Sequence, residues 1–157
     1  MKKIALILTV VIVLAMMDGC LIQEASRTPI SANEFTTKAE AAGYRIQDAA
    51  DQASGAAEDY LIAIQGTSAI DYQIEFFVVS TVDQAKATYQ GNLSKIESQK
   101  GAISTNLSAD KETYAYYKLA SDNRYYVISR IENTLVYIDA SEKYKDEIVK
   151  FLRDIGY

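Results

Sequence analysis

Between residues 72 and 101 the hydrophobic pattern changes period once. Tyr72, Ile74, Phe76 and Val78 recur at every second position, and Phe77 and Val79 add apolar character to the opposite side. Such a run predicts an inner strand, with apolar contacts on both faces. Thr81 and Gln84 then have the spacing of a reciprocal helix N-cap, with Ser80 and Asp83 an equally spaced alternative. Val82, Ala85, Tyr89, Leu93 and Ile96 follow on one helical stripe, the arrangement needed to lie on a sheet. Gly101 is expected to close that helix in the left-handed conformation.

The same reading runs through the rest of the chain. Ser31 and Glu34 form a capping box for a first helix carrying Phe35, Ala39 and Ala42, with Gly43 as its terminator. Residues 44–48 predict a short strand through Tyr44 and Ile46, and residues 49–59 a connection with one helical turn. Tyr60, Ile62 and Ile64 define one side of the next strand, and Leu61 and Ala63 the other. Residues 102–111 are polar without a firm period, which predicts a surface loop. From Thr113 onward, Tyr, Val and Ile recur between short turn signals, predicting three successive strands. The turns fall at residues 121–124 and near Asn133, which is expected to supply the tight-turn conformation. A final helix over residues 141–155 carries Tyr144, Ile148, Phe151 or Leu152, and Ile155, with Gly156 ending it.

This order predicts an α+β fold of two layers, a largely antiparallel sheet with helices on one face. A βββα pseudo-repeat is a candidate description of it. No long Pro/Gly/Ser-rich linker divides residues 31–157, so one compact domain is expected there rather than two small subdomains.

The N-terminal segment has a different character. Lys2 and Lys3 precede an apolar run over residues 4–17, interrupted only by Thr9 and followed by Asp18, Gly19 and Cys20. The run is short for a membrane span and has the form of an export signal; left uncleaved, it would be an N-terminal anchor. Residues 1–20, with Gly19 before the chain's sole cysteine, resemble a bacterial lipoprotein precursor. The resemblance implies a signal peptide at residues 1–19 and a lipidated Cys20 as the mature N-terminus. It further implies a place on the extracytoplasmic side of the cell membrane, while residues 20–30, with Pro29 and no sustained periodicity, read as the attachment point and a short tether. Several acyl chains on Cys20 would hold the protein far more firmly than one. A single cysteine also excludes an intramolecular disulfide.

The formal charge of the chain is −5, and without residues 1–19 there remain 14 basic and 20 acidic side chains, a balance of −6. That balance disfavours nucleic acid as a partner and offers no general attraction to an anionic bilayer, so the membrane contact expected is the lipid alone. With no histidine, relays and metal sites built on imidazole are excluded. The chain contains no Gly-rich phosphate loop, HExxH or GxSxG motif, and no cofactor is expected. Ser108 and Lys111 have an SxxK spacing without the wider motifs of serine acyl enzymes, and read as incidental. Asp48 with Asp51, and Glu58 with Asp59, lack the alternating oxygen ligands of a calcium loop and read as solubilising charge.

The twelve tyrosines carry the binding signal, with Tyr114, Tyr116, Tyr117, Tyr125 and Tyr126 on neighbouring strand candidates. In a hairpin Tyr114 and Tyr116 point together and Tyr117 opposite, while Tyr125 and Tyr126 divide between faces. One set can pack across strands in the core while the other forms a partly exposed aromatic surface. Tyr116 and Tyr125 are the surface candidates, with Lys118, Arg124 and Arg130 as a cationic rim for an acidic partner or sugar carboxylate. The function expected is an exported, membrane-anchored binding or structural lipoprotein, facing a protein, an envelope polymer or a small solute. A cell-envelope enzyme without histidine chemistry and a protein inhibitor or assembly factor are the alternatives.

Overall fold

The computed structural model describes residues 27–53, 57–66 and 69–157, so the signal-like segment and Cys20 lie outside the described residues. Seven strands form one antiparallel sheet: β1 (Arg45–Asp48), β2 (Ala57–Gln65), β3 (Tyr72–Val79), β4 (Ser104–Asp110), β5 (Tyr114–Ser121), β6 (Arg124–Ile131) and β7 (Thr134–Ser141). Their spatial order is β1-β2-β3-β7-β6-β5-β4. Two meanders therefore meet along β3 and β7, where Ile74 faces Ile138 and Phe76 faces Val136. Three helices complete the fold: α1 (Ala32–Ala41), α2 (Val82–Glu97) and α3 (Lys145–Ile155), with short 3-10 turns at Ala50–Gln52 and Glu142–Tyr144.

The α+β class and the antiparallel sheet are as the sequence predicts. Helices α1 and α3 lie side by side on one face, over Ile74, Phe76, Val127, Val136 and Ile138. Phe35 of α1 stacks on Phe76 with ring centroids 4.5 Å apart and meets Phe151 of α3 edge-on at 6.1 Å. Lys38 Nζ donates to the Asp154 carbonyl at 2.9 Å, joining the two helices. Helix α2 packs Ala85, Tyr89 and Ile96 on the other face, over Tyr117, Leu119, Tyr126, Ile128 and Leu135. Strands β5 and β6 are apolar on both sides and need cover on both, which explains this added layer. The βββα order recurs as β1–β2–β3–α2 and β5–β6–β7–α3, with β4 placed before the second set.

Local signals act where they were read. Glu34 N–H donates to Ser31 Oγ at 3.2 Å and Ser31 N–H donates to Glu34 Oε2 at 2.9 Å, the complete capping box. Thr81 and Gln84 exchange the same pair of bonds, so Ser80 and Asp83 are not the cap. Gly156, with φ of 91°, closes α3 in the left-handed region.

Three details differ. Residues 104–110 form strand β4 instead of a loop, paired with β5 from Ser104↔Ser121 to Asp110↔Ala115. It is an edge strand with six of its seven residues exposed, so neither face needed an apolar period. Helix α2 stops at Glu97, and Gly101 serves another purpose: a Cβ there would overlap the Asp122 carboxylate. Its N–H donates to Ser121 Oγ at 2.8 Å. In the β6–β7 turn Glu132, with φ of 48°, takes the left-handed conformation expected of Asn133.

Asn133 instead joins the turn to the neighbouring strand. Its Nδ2 donates to the Val79 carbonyl at 2.8 Å, and Val79 N–H donates to the Asn133 carbonyl at 3.0 Å. Substitution of Asn133 by alanine removes the side-chain bond and is expected to lower unfolding free energy by about 1 kcal/mol in urea titration.

Candidate functional site

Strands β4 and β5 extend beyond the layer formed by α1 and α3. Ala109, Leu107 and Thr105 of β4 face Tyr116, Lys118 and Ala120 of β5 in register, which places them on the α3 side of the sheet. The neighbouring edge of α3 presents Lys145, Val149 and Arg153 at four-residue intervals, one line along the helix. Between them lies a cleft of about 320 Å³, lined by Leu107, Lys118, Ala120, Tyr125, Lys145 and Val149. Leu107 is 60 % exposed, one of few large apolar side chains left in water.

The charged groups give the cleft its character. Lys118 lies half-buried, its stem across the sheet and its Nζ 5.3 Å from the centre of the Tyr116 ring. Burial holds its pKa below the ordinary lysine value, and the positive charges of Arg27 and Arg153 push it the same way. Lys145 Nζ sits 5.6 Å from the centre of the Tyr125 ring. It occupies the first residue of α3, where the helix dipole favours acidic side chains, so helix stability does not explain a lysine there. Among the described residues, neither lysine has a carboxylate within salt-bridge distance, although the protein carries an excess of acids. The cleft opens at Thr105 and Ala120 into a second depression of about 410 Å³, where Asp122 and Glu142 reverse the charge.

The tyrosine hypothesis is modified by burial. Tyr116 is half-buried with cations against its ring, Arg27 at 5.2 Å and Lys118 at 5.3 Å, and so acts as a platform for positive charge. Tyr125 is only 3 % exposed and forms part of the cleft floor, not an open surface. Its phenol is pushed up to about 12 by burial and is neutral at ordinary pH. Tyr114, Tyr117 and Tyr126 are buried core residues.

Lys118 belongs to the cleft, whereas Arg124 and Arg130 do not rim it. Both arginines belong to the α2 side of β6, because they alternate with Tyr125, Val127 and Ile131. Arg124 pairs with Asp139 and lies 6.0 Å from the Tyr126 ring centre. Arg130 is 1 % exposed and gives its guanidinium to the carbonyls of Lys111, Glu112, Thr113 and Glu132. That is a structural role.

Leu107, Lys145 and Val149 are the residues the sequence did not single out. Reading β4 as a loop concealed Leu107, while the i, i+4 spacing of Lys145, Val149 and Arg153 was a usable signal beside the deeper core stripe of α3.

Among the described residues that line the cationic cleft there is no carboxylate, and its two lysines equip it to hold an anion. Ser108 lies exposed on β4 and Lys111 in the turn after it, so their spacing is not that of a helical SxxK pair. Asp48 Oδ1 accepts the Ala50 N–H at 2.9 Å in a local turn that leads into the short 3-10 helix. Among the described residues no group of three or more His, Cys, Asp or Glu side chains converges on a metal position. No protein-family model matches the chain, and no curated protein or solved structure does either.

Proposed function

We propose that the chain is a lipid-anchored binding protein of the extracytoplasmic membrane surface, held through Cys20 and presenting the β4–β5–α3 cleft to a ligand. The observation that carries the binding role is the pair Lys118 and Lys145, both lining one cleft and neither paired with a carboxylate among the described residues. Cations left unpaired beside aromatic rings and apolar side chains suit recognition better than stability. The anchor rests on Lys2, Lys3, the apolar run and the Gly19–Cys20 junction. Among the described residues no helix is long and apolar enough to cross a membrane. A lipid at the head of a short tether containing Pro29 would leave the folded domain standing off the bilayer.

Intact-mass measurement on protein extracted from its native membrane tests the anchor. The expected species begins at Cys20 and carries acyl groups, and Cys20→Ser is expected to abolish the added acyl mass. An unmodified Cys20 thiol in the membrane-extracted protein would overturn the assignment.

A further inference from the structure

We propose that the cleft selects a small amphiphilic anion, its negative head group between Lys118 and Lys145 and its apolar body against Leu107, Val149 and the Tyr125 ring. This inference deepens the binding role above and rests on it.

Charge defines the polar half of the cleft. Among the described residues Lys118 and Lys145 both line the cleft without a bonded carboxylate, and Arg153 continues the basic line of α3. Lys118 is half-buried by the protein itself and lies within the influence of Arg27 and Arg153. An anion relieves that repulsion, whereas a cation adds to it. The neighbouring depression holds Asp122 and Glu142, which repel the same head group and confine it to the lysine end.

The apolar half is the lining. Leu107 is exposed on an edge strand, Val149 is partly covered on α3, and Ala120 and the neutral Tyr125 ring form the floor between them. A simple inorganic anion would leave this surface wet. A volume of about 320 Å³ lies at the small end of ligand cavities, which suits a compact ring or short chain better than a polymer segment.

Three isosteric probes added to the full-length chain separate the possibilities by 19F NMR: 4-fluorobenzoate, 4-fluorobenzyl alcohol and 4-fluorobenzylammonium. Saturable 4-fluorobenzoate binding is expected below about 10 mM, as suits a ligand of few atoms. Lys118→Gln and Lys145→Gln should each weaken it by about fivefold or more through loss of a charge-assisted contact. Lys150→Gln, whose lysine pairs with Asp154 elsewhere on α3, should leave it unchanged. Unchanged thermal unfolding of the variants shows that the fold is retained. Equal or stronger binding of the alcohol or the ammonium probe, reduced by Leu107→Ser, would overturn the anionic ligand class while leaving the cleft a binding site. No saturable binding of any probe, or 4-fluorobenzoate binding indifferent to both lysines, would overturn the cleft assignment itself.

Discussion

Replacing Arg130 with methionine is expected to lower unfolding free energy by about 3 kcal/mol, although the methionine is apolar and of comparable length. The Arg130 guanidinium is buried where two turns approach one another. Nη2 donates to the Lys111 carbonyl at 3.0 Å and to Glu112 at 3.1 Å, while Nη1 reaches Thr113 and Glu132, each at 3.3 Å. Glu132 N–H also donates to the Thr113 carbonyl at 2.7 Å, so the β4–β5 and β6–β7 turns are joined through this one corner. Methionine fills the space but leaves four carbonyls without their charged donor. The turn residues lie at the surface, where water can replace part of the loss, and the expected cost is correspondingly below the sum of four such bonds. Arg130→Lys should fall between wild type and methionine, because one ammonium cannot reproduce the planar fork. Urea titration followed by circular dichroism measures both; a loss below about 1 kcal/mol for methionine would show that the corner is held by the backbone alone.

Phe35→Ala is expected to cost about 3–5 kcal/mol, the range for truncating a buried aromatic side chain. Helix α1 buries only Phe35 and Ala39, so most of its attachment to the sheet is one ring. That ring lies on Phe76 at an interplanar angle of 10° and meets Phe151 at 74°, touching β3 and α3 at once. Its removal leaves a cavity between three elements and a helix of ten residues, too short to persist without packing. Hydrogen exchange should therefore show amides of residues 32–41 losing protection while those of β6 retain theirs. Equal loss in both regions would mean that α1 unfolds only with the whole domain.

The features legible from residues alone are those whose partners lie within a few positions. Ser31 reads Glu34, Thr81 reads Gln84, and Gly156 follows the last turn of α3, so each cap is specified by neighbours. The two-residue turn at Asp122 and Asn123, with φ of 50° and 62°, is equally local. Burial patterns extend that reach to β3, α2 and the strands from β5 to β7. Period carries information only where one face meets water and another does not, and β4 meets water on both. Its seven residues are ordered by β5, and nothing within them announces that pairing.

Charged residues mark the same boundary. Lys118 and Arg130 stand on adjacent strands of one tyrosine-rich region, and by composition alone they were interchangeable as rim cations. A side chain's face follows from strand alternation, but what awaits it there comes from distant segments: four turn carbonyls for Arg130, and Tyr116, Leu107 and the edge of α3 for Lys118. Short-range hydrogen bonding and periodicity therefore dictated the caps, the helices and the described strands other than β4. Long-range packing alone could distinguish a buried staple from a cation left facing a cleft, because desolvation depends on every element that closes around a charge.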